Sequence, residues 1–152
     1  MKILLIAFLL ALGWNTHAET IESRDGLEVA NPECIDYLLS INNDSGHPLE
    51  KTALSELIEG RFKSCGIKAT ALSKPPSSPF LHIIITAYPQ AFSTLISFHR
   101  KVFFSVEGKE FVTTASTWSD GTFGLSSSQE LINRGVLAYI DQFINTFKNS
   151  NY

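Results

Sequence analysis

The sequence has 152 residues, of which 44% are hydrophobic and 18% are charged, and its formal net charge is −3. The length suits one domain, and the hydrophobic content is high enough for a packed core, which excludes a disordered chain. An acidic chain carries no excess of lysine and arginine to meet phosphates. These values therefore argue against nucleic acids and anionic membranes as general partners.

Residues 1–18 have the pattern of a removable export signal. Lys2 is their only charged residue, residues 3–12 form an apolar run, and Thr16 and Ala18 occupy the small-residue positions of a peptidase site. The run is shorter than the ~20 residues that a membrane-spanning helix needs, and no transmembrane segment is expected after it. We predict a signal peptide at 1–18 cleaved near Ala18, and export to the periplasm or the extracellular space.

The first half of the remaining chain predicts a strand and a helix. Residues 19–32 are polar and weakly patterned, which indicates a loose N-terminal arm. The odd positions of residues 35–42 are apolar, which favours a strand, although a helix starting at Pro32 is an open alternative. Residues 48–64 carry an apolar helical stripe that ends before Gly66. A short strand at 67–72 and a proline-rich connector complete this half.

The two cysteines, Cys34 and Cys65, bracket this strand–helix unit. A strand rises ~3.3 Å per residue and a helix 1.5 Å, so the longer helix returns the chain close to where the strand began. In an oxidising compartment two such cysteines favour one disulfide. We therefore predict a Cys34–Cys65 disulfide, with two separate thiols as the alternative.

Residues 80–88 and 91–106 predict two strands around a tight Pro89-Gln90 turn. Pairing Tyr88 with Ala91 sets a register in which opposed residue numbers sum to 179. One face of this pair is then almost entirely apolar and belongs to a core, because alternate residues of a strand point to opposite faces. The other face is mostly polar and collects His82, Ser97 and His99.

A further strand, a loop and a helix end the chain. Residues 110–118 predict the strand, and a bulge near Gly108 would let Trp118 face either side of the sheet. Residues 117–124, with an Asp-Gly pair and Phe123, predict a sharp aromatic loop that is either a packed connection or a recognition loop. Ser127 with Glu130 matches a capping box for the last helix.

These elements predict an α+β fold in the order β-α-β-β-β-β-α. Two helices would pack on one face of a mostly antiparallel sheet of four to five strands, because each apolar helix stripe must cover the apolar sheet face. We expect a single domain at 19–152, with 19–32 as its N-terminal arm.

Two histidines are the main candidates for chemistry. His82 and His99 share the predicted polar face, but a zinc site needs three or four ligands and no third one is evident. The sequence contains no G-x-S-x-G, Walker, GxGxxG or HExxH motif. No catalytic residue, metal ligand or cofactor is therefore assigned from the sequence.

Three segments resemble a family of small exported bacterial proteins of uncharacterised activity. They are the helix end RFKSCGI (61–67), the Thr117-Trp118-Ser119 strand followed by glycines, and the helix segment DQFIN (141–145). The order of elements is also similar to that of the lipopolysaccharide-assembly lipoproteins of the LptE type, although the lipid-attachment cysteine is missing. The resemblance implies an exported α+β module rather than a particular activity.

The leading functional hypothesis is an exported, non-catalytic binding or envelope-assembly module. Its binding face would comprise His82, Ser97, His99, Trp118 and Phe123, and its partner would be a protein of the cell envelope. The alternative is a small hydrolase or metal-binding protein that uses His82 and His99. The oligomeric state does not follow from the sequence.

Overall fold

The computed structural model describes residues 26–77, 79–125 and 128–152. The predicted signal peptide, residues 19–25 of the predicted arm and the predicted helix cap Ser127 lie outside these residues. The described elements follow the predicted order β-α-β-β-β-β-α. They are β1 (Cys34–Asn43), α1 (Lys51–Ser64), β2 (Lys68–Leu72), β3 (Phe80–Tyr88), β4 (Ala91–Val106), β5 (Lys109–Gly124) and α2 (Gln129–Asn151).

The fold is α+β, with a five-stranded mixed sheet in the order β2-β1-β3-β4-β5. Strands β3, β4 and β5 form an antiparallel meander, and the predicted β3–β4 register is confirmed, with Tyr88 opposite Ala91 and Leu81 opposite Phe98. The first element is the predicted strand rather than the alternative helix, and this strand, β1, lies parallel to both β2 and β3. The sheet is thus mostly antiparallel by extent but mixed in type.

Both helices cover the same face of the sheet, and the core lies between them. Helix α1 buries Leu54, Ile58 and Phe62. The sheet contributes alternate residues from three strands, as the period-2 pattern requires. The fully or almost fully buried strand residues on this face include Tyr37, Leu39, Leu81, Ile83, Ile85, Ile96 and Phe98.

Helix α1 begins three residues later than predicted, at Lys51, after the extended residue Glu50. Its end is as predicted, because Gly66 has a φ of +79°. The Gly66 amide donates to the Lys63 carbonyl and the Ile67 amide to the Phe62 carbonyl, each at 3.0 Å. This is a Schellman motif, and it directs the chain into β2.

The predicted aromatic loop at 117–124 is wrong, because β5 continues to Gly124. The glycines of this segment allow close packing rather than a turn. Gly124 and Gly135 face the Phe92 ring from strand β5 and helix α2, and a Cβ at Gly135 would lie 3.0 Å from that ring. The ring fills this slot and is buried. Ser128 caps α2, since its side chain accepts a hydrogen bond from the Leu131 amide.

Residues 26–32, predicted to be part of a loose arm, are instead held against the domain. Leu27 is fully buried, and its carbonyl accepts a hydrogen bond from the Asn151 side chain at 3.1 Å. Thr117 donates to the Gly26 carbonyl at 2.6 Å, and Arg100 pairs with Glu28 at 3.4 Å. The polar composition of the arm concealed Leu27 and Val29, which pack on the core and together with these polar contacts hold the segment.

The predicted Cys34–Cys65 disulfide is absent, and both cysteines are free thiols. In β1 the residue after Cys34 is buried beneath the helices, so Cys34 points to the opposite side of the sheet. Cys65 packs against the core on the helix side. The prediction matched the lengths of strand and helix but did not consider which face each sulfur occupies.

Among residues 26–77, 79–125 and 128–152, neither helix combines the length and apolarity that crossing a bilayer requires.

Candidate functional site

The candidate site lies on the sheet face that the two helices leave uncovered, here called the open face. His82 on β3 is opposite Ser97 on β4, and His99 is opposite Phe80 on one side and Ser116 on the other. The two imidazole rings are 5.9 Å apart between centroids. The pair of strands therefore brings His82 and His99 together as the alternation predicted.

Each imidazole shares a hydrogen bond with a serine. The Nε2 atom of His82 lies 3.0 Å from Oγ of Ser40, and that of His99 lies 2.9 Å from Oγ of Ser97. Because a hydroxyl can both donate and accept, the contact at Nε2 can form in either tautomer of each ring. The serines occupy one nitrogen of each ring and leave the Nδ1 atoms as the remaining polar atoms.

The surroundings disfavour the charged form of both rings. Burial lowers the pKa of His82 below 6.5, and the neighbouring His99 lowers it further. Burial also lowers the pKa of His99. Phe80 contributes to this burial, since its ring stacks on His99 with centroids 5.1 Å apart and is itself 4% exposed. The surroundings of both imidazoles therefore favour their neutral form.

Trp118 and Phe123 do not join this cluster. A bulge at Phe98/His99 shifts the register with β5, and Trp118 pairs with Phe98 on the helix side. Its ring packs edge-on against Phe143 at 5.3 Å. Phe123 is 78% exposed but lies opposite Ser93, six residues along β4 from His99. Of the five predicted binding-face residues, the structure therefore brings together three, His82, Ser97 and His99.

Sequence reasoning missed Ser40 and Phe80. Ser40 occupies an even position of β1, which the alternation assigns to the polar face, but nothing local shows that β1 lies beside β3. Phe80 shares the parity of His82 and was overlooked because it is apolar. The β1–β3 pairing brings Ser40 near His82, with Ser40 opposite Ile84, and the β3–β4 pairing places Phe80 opposite His99.

The described residues hold no group of three or more histidine, cysteine, aspartate or glutamate side chains arranged to bind a metal ion. Within the same residues, neither imidazole is hydrogen-bonded to a carboxylate, which is the third member of a serine–histidine catalytic set. Three cavities of 260, 550 and 570 Å³ lie near Cys34 and Cys65, and neither histidine lines any of them. In the described residues the His82–His99 cluster lies on a sheet face, with the Phe80 ring stacked beside it.

Comparison of the chain with protein-family models and with curated proteins found no match. The resemblance to small exported proteins therefore remains a prediction, and the geometry is the basis for the function proposed below.

Proposed function

We propose that the protein is an exported, non-catalytic binding module whose open face contacts a protein of the cell envelope. The observation that carries this proposal is the pair of imidazoles, His82 and His99, each held by a serine hydroxyl on the sheet face opposite the helices. Such a surface offers hydrogen-bonding atoms at fixed positions without the cost of desolvating a charge.

The form of the surface favours a broad partner over a small molecule. Small ligands are usually enclosed in a concave pocket, whereas proteins bind to extended surfaces with a few well-placed polar groups. Leu95, on the same face as Ser97 and 46% exposed, adds apolar area beside the histidines. The net charge of −3 gives no attraction to nucleic acid.

The proposed location rests on the sequence of residues 1–18, which has the composition of a cleaved signal. Fractionation of the producing cells and mass analysis of the exported chain test it. We expect a product that begins near Glu19 in the periplasm or medium. A cytosolic product that retains residues 1–18 would contradict export.

Affinity capture from an envelope extract tests the binding surface. The bait variants are the double substitution His82→Ala with His99→Ala and the control Glu56→Ala, whose side chain is exposed on α1. We expect the control to retain a partner captured by the unaltered protein and the double variant to lose it. Equal capture by both variants would show that the open face is not the contact surface.

One observation favours a second candidate function, a small hydrolase or metal-binding protein. The contacts of Ser40 with His82 and of Ser97 with His99 have the geometry of a hydroxyl beside a base. Turnover of a nitrophenyl ester that is lost in both Ser40→Ala and His82→Ala would establish it. A stoichiometric metal ion that is lost in His82→Ala and His99→Ala would establish the metal-binding form.

A further inference from the structure

Strands β4 and β5 extend beyond the rest of the sheet. Strand β3 pairs with β4 only from Ala91 to His99, whereas β5 accompanies β4 to Val106. Residues 100–106 and 109–115 therefore form a two-stranded ribbon, here called the projecting hairpin. Glu107 and Gly108 close it, with φ values of +51° and +78° as a type I′ turn requires.

The projecting hairpin exposes large apolar side chains on both faces. Phe104 and Phe111 stack on one face with their centroids 5.5 Å apart, and Phe103 and Val112 are opposite each other on the second face. Their exposed fractions are 47%, 45%, 79% and 57% in that order. An isolated hairpin is marginal in water, and a contiguous exposed apolar patch marks an interaction surface.

Neither edge of the hairpin has a described neighbouring strand; the outer side of β5 is open along the whole sheet edge, whereas the open edge of β4 is confined to the hairpin. Along residues 100–106, β4 has β5 on one side, and no described strand pairs with it on the other. The backbone amides and carbonyls on that side are available to an added strand. The feature is therefore an open edge flanked by apolar side chains.

We propose that this edge pairs with the same edge of a second copy of the chain. The segment is self-complementary about Phe104. Antiparallel pairing centred on that residue places Val102 opposite Val106 of the second copy and Lys101 beside Glu107 of the second copy. Two-fold symmetry makes each contact occur twice, which is the usual arrangement of a homodimer.

The pairing also extends both apolar faces. Side chains opposite each other in a sheet lie on the same face, so the Phe104–Phe111 stacks of the two copies meet on one face. A lipid bilayer fits the hairpin less well. Glu107, Lys109 and Glu110 form its tip and would enter the hydrocarbon first, where a charge costs several kcal/mol.

Charge reversal tests the pairing. Sedimentation velocity over a range of concentrations should show a dimer for the unaltered protein. In Glu107→Lys the dissociation constant should rise by roughly tenfold, because two attractive contacts become repulsive. The double variant Lys101→Glu with Glu107→Lys should restore the original constant, and the control Glu56→Lys should leave it unchanged.

Directed crosslinking tests the register in a Cys34→Ser, Cys65→Ser background. Phe104→Cys should form a disulfide between copies on oxidation, since directly opposed Cα atoms lie ~4.5–5.5 Å apart, within the range of a disulfide. Thr114→Cys on β5 is the control and should not. Thermal unfolding of each variant shows whether the domain itself is intact.

A chain that stays monomeric at every concentration overturns the proposal. A dimer that crosslinks through Thr114→Cys also overturns it. So does a dimer whose dissociation constant is the same in Glu107→Lys and in the double variant as in the unaltered protein. Flotation of a monomer with phosphatidylethanolamine–phosphatidylglycerol vesicles, lost on Phe103→Asp, would assign the hairpin to a membrane instead.

Discussion

Strands β4 and β5 are paired along nearly their whole length, yet their two halves have different surroundings. In the covered segment, residues 92–98 of β4 lie beneath α2 and bury Phe92, Ile96 and Phe98. In the projecting hairpin the same even positions of β4 continue without a described helix above them, and Phe104 is 47% exposed. An apolar alternation thus defines a face, and only the neighbouring elements decide whether that face is core or contact surface.

The largest expected effect lies where the covered segment meets α2. Phe143 packs against Phe98, Phe147 and Trp118 with centroids 5.3 to 6.0 Å apart. Phe143→Ala should lower the free energy of unfolding by about 3–5 kcal/mol, because it leaves a cavity among these rings. Urea denaturation measures the change. A loss below ~1 kcal/mol would mean that α2 does not hold the covered segment.

A smaller loss is expected at the Phe92 slot. In Gly124→Ala the new Cβ would overlap the Phe92 ring, which is buried and has little room to move. We expect a loss of about 1–3 kcal/mol in unfolding free energy. Gly60→Ala on α1 is the matched control, since nothing lies within 4 Å of its added Cβ. It should stabilise the protein by about 0.5–1 kcal/mol.

Tyr37, beneath the helices on β1, tests a polar contact of the covered side. Its hydroxyl donates to Glu59 at 3.0 Å, and Tyr37→Phe should cost about 1 kcal/mol. Burial raises the pKa of Tyr37 to about 12, so the protein should lose stability as the pH rises from 10 towards 12. In Tyr37→Phe this loss should be smaller. Equal slopes in the two proteins would show that Tyr37 does not ionise on unfolding.

The histidines of the open face should make stability depend on mild acid. Because burial holds the pKa of His82 and His99 below 6.5, the unfolded chain takes up protons first as the pH falls. The contribution of the two neutral imidazoles to the free energy of unfolding is therefore fully present above about pH 6.5 and is lost as the pH falls below that value. Proton NMR titration should place both ring pKa values below 6.5. The double variant His82→Gln with His99→Gln should flatten the decline between pH 7 and 5.

The smallest effect is expected in the projecting hairpin. Phe103→Ala in the monomer should change the free energy of unfolding by no more than about 0.5 kcal/mol, since the side chain contributes little buried area. Measurement at low protein concentration isolates the monomer. A loss comparable to that of Phe143→Ala would mean that the hairpin is part of the folding core.

How much of the fold the sequence predicts depends on whether a contact is local in the chain. The Pro89-Gln90 turn is local, so its register and the pairing of His82 with Ser97 follow from alternation alone. The parallel pairing of β1 with β3 has no local signal, and Ser40 was missed for that reason. Gly121 and Gly124 are residues typical of a turn, but here they lie within β5 and allow neighbouring groups to pack closely against that strand. The predicted disulfide failed because chain length does not report the face on which Cys34 lies.

Hydrogen exchange at low and high protein concentration tests the distinction between the two halves most directly. We expect backbone amides of residues 101–106 that point away from β5 to exchange quickly at low concentration and to become protected at high concentration. Amides of residues 92–98 should be equally protected in both. Exchange in residues 101–106 that is independent of concentration would contradict the assignment of the hairpin as a contact surface.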